Sequence, residues 1–445
     1  MGKYFGTDGW RGVAGNDLCA LDAFKIGRFL GGELKKRGGR AVIGKDTRRS
    51  SYMLEYAVAS GIASAGATVY LLHVTTTACV SYIVTNEGFD LGIMISASHN
   101  PYYDNGIKIL NFKGEKIGDE EIAKIEAYID RASDTIENAQ GEEIGKIIDY
   151  YEGREHYRDY LISTSKRKFS GLRVGLDASN GSAWELARDV FDALGARTYT
   201  VGCEPNGVNI NHGCGSTSIS ALSSLVRARG LDMGFAYDGD ADRCIAVDSN
   251  GDSFDGDDIL YALASDLQGK GELKNSTVVA TVASNLGLKK SLEALGISTI
   301  FTSVGDRFVF EEIKKGSYSL GGEESGHIII SKYARTGDGI LTSIKLAELA
   351  MNNGRDLRSL SLGLKRLPQI SKSVVVKSKQ KVMSSVRLGE EIKKAEARLV
   401  GGRVLVRASG TEPKIRVLVE GEPRELSLEI VESLSRVISE CDENE

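Results

Sequence analysis

Residues 90–109, DLGIMISASHNPYYDNGIKI, run an apolar strand into Ser96, Ala97 and Ser98, then turn sharply at His99, Asn100 and Pro101. A serine at a strand end before a turn is well placed to attack an electrophile or to carry a phosphoryl group. His99 beside it and Lys108 ten residues on supply a titratable group and a cation. An isolated stretch of this kind also forms an ordinary serine-rich turn with an Asx cap. Residues 232–244, DMGFAYDGDADRC, end a second apolar strand at Tyr237 and alternate Asp238, Asp240 and Asp242 before Arg243. Three carboxylates so close repel one another unless a cation neutralises them. A short loop of hard oxygen donors suits Mg2+. A calcium-binding hand does not fit, because it needs Gly where Arg243 stands and Glu where Ser249 stands. A phosphatase with an Asp nucleophile also places DxD after a strand; the third Asp, Arg243 and the separate serine argue against it. A solvated acidic turn is the plain alternative.

Two further loops carry polar groups in patterns that fit a phosphorylated sugar. In SLGGEESGHIII, residues 319–330, two glycines lead into Glu323, Glu324, Ser325, Gly326 and His327. Adjacent polar side chains there can hydrogen-bond sugar hydroxyls, although a solvated turn reads the same way. In VRASGTEPKIRV, residues 406–417, Arg407, Ser409, Gly410, Thr411 and Arg416 surround a loop between two strands. Backbone N–H groups, two hydroxyls and a guanidinium make a site for a phosphate dianion; the alternative is a hairpin with a surface Arg. The opening KYFGTDGWRG sets Arg11 in a Gly-rich segment, to face a phosphate or to follow a simple Asp8-Gly9 turn. The glycines of residues 206–218, NGVNINHGCGSTS, fall short of a dinucleotide fingerprint, because Ser218 stands where the last Gly belongs, and no nicotinamide cofactor is expected.

The elements that must position these loops repeat three times. Residues 40–48, 172–181 and 277–285 each run from an apolar strand into a polar loop. A helical stretch follows, stops at a glycine (Gly66, Gly195 or Gly296), and gives way to a second strand. Strands alternating with helices imply crossover units and largely parallel sheets, with ligands at the carboxyl ends of the strands. The tail predicts a small α+β domain: a strand at 374–377, a helix over 386–399, strands at 403–407 and 415–419, and a helix over about 425–440, with CDENE frayed. Boundaries fall near 153, 254 and 367, which gives domains over 1–153, 154–254, 255–367 and 368–445. Such a chain of 445 residues, 41% hydrophobic and 26% charged, is globular rather than disordered. Its net charge of −5 does not suit a nucleic-acid binder. No apolar run approaches 18 residues, so no membrane span is expected. Six scattered cysteines and a first segment without a signal-like apolar stretch predict a cytoplasmic protein.

Together SASHNP, DGDADR, GEESGH and RASGTEP, in this order and over nearly the whole chain, resemble the α-D-phosphohexomutase family. FGTDGWRG, PNGVNINHGCGST, TVASNLGL, VGDRFV and TGDGIL are most similar to the branch that interconverts glucosamine 6-phosphate and glucosamine 1-phosphate. The resemblance implies an α/β fold: three related mixed-sheet α/β domains and a smaller α+β C-terminal domain around a central cleft. It implies that Ser98 carries the phosphoryl group. Asp238, Asp240 and Asp242, with a phosphoserine oxygen, would hold Mg2+. Arg11, His99, Lys108 and Arg243 would surround the phosphoserine, with Lys108 moving a proton at the attacking hydroxyl once neighbouring cations lower its pKa. Glu323 and Ser325 would bind sugar hydroxyls with His327 nearby. Arg407, Ser409, Gly410, Thr411 and Arg416 would grip the phosphate that is not reacting. The implied partner is a small sugar phosphate, with glucosamine 1,6-bisphosphate or glucose 1,6-bisphosphate as activator, on a monomer or homodimer. Relatives acting on glucose or mannose phosphates use the same residues, a silent sugar-phosphate sensor would lose Ser98 or the Asp residues, and a metal-dependent phosphatase would release inorganic phosphate. Trp10, Thr75-Thr76-Thr77 and Ala283 depart from the family pattern; none is a proposed phosphate ligand.

Overall fold

The computed structural model describes residues 2–6, 8–131, 133–409 and 413–443. The chain divides into two compact units, residues 1–283 with 297–362, and residues 284–296 with 363–445. The first unit holds three mixed sheets. In the largest, Arg40–Lys45 lies parallel to both Thr68–Val74 and Leu91–Ile95. Asp104–Asn111 then pairs antiparallel with Leu91–Ile95, and Gly9–Val13 with Asp104–Asn111. The second sheet sets Arg173–Asp177 parallel to Arg197–Val201 and Met233–Tyr237, with Cys244–Asp248 antiparallel at Met233–Tyr237. In the third, Thr277–Thr281 is parallel to Ser298–Thr302 and Leu320–Gly322, and Ile328–Ile330 folds back antiparallel.

The three repeats are therefore parallel strand pairs joined by helices. Gly66 and Gly195 stop two of those helices with φ of +94°, a conformation that a side chain resists. Strands Leu91–Ile95 and Met233–Tyr237 are buried along their whole length, as strands covered on both faces must be. They deliver Ser98 and Asp238 from their carboxyl ends. No helix among the described residues is long and apolar enough to cross a membrane.

The second unit contains a three-stranded antiparallel sheet with Lys414–Glu420 in the centre, between Gln369–Val375 and Arg403–Ala408. The first of these strands begins five residues before the expected 374, because its register runs along the full length of Lys414–Glu420, from Gln369 opposite Glu420 to Val375 opposite Lys414. Helix Leu286–Glu293, which the sequence repeat places with the third sheet, belongs by its contacts to this second unit; Asn285 at its start accepts from Leu367 N at 3.0 Å. The tail is not frayed as far as Glu443. Asp442 accepts from the backbone N of Lys377 and Ser378 at 2.8 and 3.1 Å and ties down the end of helix Arg424–Glu443.

Helices Ala20–Lys35 and Arg49–Ser64 cross at glycines: a Cβ at Gly61 would press into the Phe24 carbonyl, and one at Gly27 into the Val58 carbonyl. Alanine in a helix normally gains about 1 kcal/mol over glycine. Overpacking a rigid crossing costs about 1–3 kcal/mol and wins. Gly61→Ala is expected to lower unfolding free energy by about 1–2 kcal/mol in urea titrations; a stabilised variant would show that the helices separate freely.

Candidate active site

The chain leaves strand Leu91–Ile95 at Ser96 and places Ser98 in the left-handed region, φ +52°. A non-glycine residue held there is characteristic of functional turns. Ser98 is buried, and its Oγ donates to Asp238 Oδ2 at 2.5 Å. His99 Nδ1 lies 3.3 Å from the same Oγ. Burial, then the fields of Arg243 and Arg11, pull His99 down to about 4, so its ring is neutral at pH 7.

Strand Met233–Tyr237 and the returning strand Cys244–Asp248 frame the acidic loop, so all three carboxylates face one point. Asp238, Asp240 and Asp242 are buried, and one oxygen from each lies within 4.8 Å of the others. Asp240 Oδ1 and Asp242 Oδ1 are buried with no hydrogen-bond partner among the described residues. Buried carboxylate oxygens without partners are costly. Three carboxylates that close, with two unsatisfied oxygens among them, fit a divalent cation with a preference for oxygen. Burial and then the Asp242 and Asp240 charges push Asp238 well above the usual carboxylate range.

Lys108 rises from strand Asp104–Asn111 into this cluster. Its Nζ lies 2.7 Å from Asp240 Oδ2, 3.3 Å from Asp242 Oδ2 and 3.2 Å from Asp8 Oδ2. The sequence reading surrounds Lys108 with cations that lower its pKa; the structure surrounds it with carboxylates. Burial opposes its charge, but Asp240, Asp8 and Asp242 overcome that and hold Lys108 well above its ordinary value. In this arrangement Lys108 is held as an ammonium. Arg11, on strand Gly9–Val13, pairs with Asp8, and Asp8 also pairs with Lys116, which reaches Asp306. Arg11 Nε and Arg243 Nε are both buried without a hydrogen-bond partner among the described residues. The nearest carboxylate to Arg243 Nε is Asp242, 3.9 Å away.

The loop between Leu320–Gly322 and Ile328–Ile330 joins the acidic loop through Cys244 N, which donates to Gly326 O at 3.0 Å. Glu323 is buried, and its Oε1 accepts from Gly305 N at 3.0 Å; Ser325 is exposed. The His327 ring is buried and already has partners. Its Nε2 accepts from Gly337 N at 3.0 Å, and its Nδ1 faces Asp242 Oδ1 at 3.6 Å. In the second unit, Arg407 and Arg416 stand directly opposite in antiparallel register. Burial, then Arg416, lowers the Arg407 pKa. Ser409 is buried, with its N donating to Lys414 O at 2.9 Å. Gly410 and Thr411 lie outside the described residues.

Ser98, His99, Lys108, the three Asp residues, Arg11 and Arg243 thus meet around one point, with Glu323 linked to it through the Gly326 contact. The sequence reading missed Asp8 as a charge partner, and it missed Lys116, Asp306 and Thr77. Thr77 Oγ1 donates to Asp240 Oδ2 at 2.5 Å, and Thr77 N to Asp240 O at 3.1 Å. Its place at the head of helix Thr77–Asn86, just after a strand of the main sheet, was the available signal.

Four family models match the chain in order. They are phosphoglucomutase/phosphomannomutase α/β/α domain I over residues 2–135, domain II over 150–251, domain III over 255–366, and the C-terminal domain over 372–437. A phosphoglucosamine mutase of Lachnoclostridium phytofermentans is 52% identical over 428 residues, 96% of each chain. One from Lachnospira eligens is 50% identical over 444 residues, 98% of each chain. Among solved structures, a phosphoglucomutase/phosphomannomutase family protein of Burkholderia thailandensis superposes with a TM-score of 0.82 at 23% identity, covering 100% of this chain and 99% of its own.

Removing the Lys108 ammonium leaves three buried carboxylates facing one another. Lys108→Met is expected to lose about 3–5 kcal/mol of stability in EDTA, the usual cost of breaking a buried ion pair. Added Mg2+ should return part of that loss. Urea unfolding with and without metal checks this, and an unchanged stability would mean that Lys108 does not balance the cluster.

Proposed function

The chain belongs to the phosphoglucomutase/phosphomannomutase family, the α-D-phosphohexomutases, and on that premise we propose that it interconverts glucosamine 6-phosphate and glucosamine 1-phosphate through a phosphoserine at Ser98. One observation carries the reading: a buried serine in a left-handed turn, with its hydroxyl 2.5 Å from a carboxylate of a three-Asp cluster. The choice of an amino sugar rests on relatives about half identical over nearly the full chain that carry the name phosphoglucosamine mutase.

In this reading phosphorylated Ser98 gives its phosphoryl group to the free sugar hydroxyl. A 1,6-bisphosphate forms, turns over, and returns its other phosphoryl group to Ser98. Phosphoryl transfer asks the protein mainly for alignment and charge neutralisation. Asp238, Asp240 and Asp242 would hold Mg2+, which when bound withdraws charge from the transferring group and from the departing serine oxygen. Arg11 and Arg243, each with an unsatisfied buried Nε, face the same point and would neutralise phosphoryl oxygens. Lys108 would bring a positive charge beside the acidic loop. In each transfer the attacking hydroxyl gives up one proton and the departing oxygen takes one up, so no net proton is lost; the unphosphorylated Ser98 hydroxyl is oriented by its hydrogen bond to Asp238 Oδ2. Glu323 and Ser325 would meet sugar hydroxyls. Arg407, Ser409, Gly410, Thr411 and Arg416 would take the phosphate that is not transferred. A trace of glucosamine or glucose 1,6-bisphosphate would load Ser98. The same reading sets domain boundaries near 153, 254 and 367. It places the enzyme in the cytoplasm, where its six cysteines, all unbridged, are at home.

The test is kcat/KM for glucosamine, glucose and mannose phosphates side by side, with Mg2+ and the matching bisphosphate. A preference of about a hundredfold or more for the glucosamine compound is expected, about 3 kcal/mol of transition-state discrimination. Equal or reversed values would move the enzyme to general hexose phosphates. Ser98→Ala is expected to lower turnover by orders of magnitude while calorimetry still detects sugar-phosphate binding. Turnover near wild type would remove Ser98 as the phosphoryl carrier.

A further inference from the structure

Two segments that the reaction does not use, KDTR at 45–48 and NINH at 209–212, converge on the backbone of the Ser98 turn. Arg48 is fully buried at the end of strand Arg40–Lys45. Its Nη2 donates to Ser98 O at 2.9 Å and to Asn100 O at 2.8 Å, and its Nη1 donates to Asp104 O at 3.0 Å and to Pro101 O. Asn211 arrives from the loop that follows the second sheet's strand Arg197–Val201. Its Nδ2 donates to the same two carbonyls, Ser98 O at 2.8 Å and Asn100 O at 3.0 Å. Each of those oxygens therefore has both acceptor positions filled.

The amide side of Ser98 is held as well. Ser98 N donates to Ser96 Oγ at 2.9 Å, and Ser96 Oγ donates to Asp46 Oδ2 at 2.7 Å. Asp46 closes the circuit through Arg48 Nε at 2.8 Å. Gly239, between two of the Asp residues, completes the enclosure, since a Cβ there would lie 2.5 Å from Ser98 O.

We infer that Arg48 and Asn211 are positioning residues that clamp the Ser98 and Asn100 carbonyls and so hold the phosphoserine turn at its left-handed φ in line with the acidic loop. The inference rests on Ser98 being the phosphoryl carrier. A left-handed serine relaxes readily to other backbone angles, and a relaxed turn would carry Oγ away from Asp238. Four donor contacts from two rigid planar groups oppose that rotation. Arginine is required on one side because its flat fork reaches several carbonyls at once, which a lysine ammonium on a flexible stem does not. Asn211 suits the other side because its own φ is +60°, which Asn tolerates better than most residues.

Asn211→Gly separates the clamp from the backbone, because glycine accepts the same φ and removes only the amide. Asn211→Asp keeps the shape and sets an acceptor against two acceptors. Arg48→Lys tests the opposite side. The assay measures kcat and KM for glucosamine 1-phosphate, with melting temperature as the control for folding. Asn211→Gly is expected to lower kcat about ten- to hundredfold, with KM within about threefold and melting temperature within a few degrees. Asn211→Asp should fall further. Arg48→Lys should lower kcat at least as much as Asn211→Gly, with whatever stability it keeps. If both Asn211 variants keep kcat within about twofold, or if kcat falls only in step with melting temperature, the clamp is refuted. Ser98→Ala assayed in parallel separates the two ideas, since full turnover there would overturn the phosphoserine reading and leave the Asn211 result to speak only for loop structure.

Discussion

Three carboxylates buried in one short loop impose the constraint that organises this site. Asp238, Asp240 and Asp242 bring like charges within 4.8 Å of one another, away from water, where their repulsion is weakly screened. The surrounding structure answers that charge in layers. Lys108 stands against Asp240 and Asp242, Thr77 donates to Asp240, Ser98 donates to Asp238, and His327 faces Asp242. Two carboxylate oxygens still have no hydrogen-bond partner among the described residues. The protein supplies most of the compensation, and what remains is of the kind a divalent cation could supply.

The same economy governs the basic residues. Charges alternate outward from the acidic loop, through Lys108 to Asp8, and from Asp8 to Arg11 and to Lys116, which meets Asp306. Most of these charges are satisfied by a neighbour. The exceptions are the Nε atoms of Arg11 and Arg243; burial first, and then the charges of Arg243 and Arg11, keep His99 neutral. An acidic protein of net charge −5 can thus concentrate positive charge locally. Here two buried guanidinium nitrogens without a hydrogen-bond partner among the described residues carry it, rather than a basic surface.

Geometry in this site is a property of backbone as much as of side chains. The Ser98 turn departs from ordinary strand angles and is held by groups from the main sheet and from the second sheet's loop. Its carbonyls are engaged by side chains 50 and 113 residues distant in sequence. The acidic loop approaches so closely that only glycine fits at 239. Preorganisation of this kind lets the enzyme spend little reorganisation at the moment of transfer.

The sequence by itself determined the strand–loop–helix repeat, the parallel pairing it requires, and the four loops with their reactive residue types. Those features are local: hydrophobic period, helix-stopping glycines and contiguous polar residues are all read within a dozen positions. It did not determine which groups meet. Ser98 and Asp238 are 140 residues apart, and Lys108 and Asp240 are 132 apart, yet each pair is in hydrogen-bond contact. Lys108 shows the consequence. Its type and loop suggested a lysine among cations, and only the packing of strand Asp104–Asn111 against the acidic loop made it a lysine among carboxylates. The partners of His327 are likewise visible only in the fold, where Gly337 N donates to its Nε2. Arg48 and Asn211 carry no local signature, because their work is done on backbone oxygens that the chain brings to them only on folding. The tertiary structure decided charge state and orientation, since both depend on distance and burial, and neither is written in the spacing of residues along the chain.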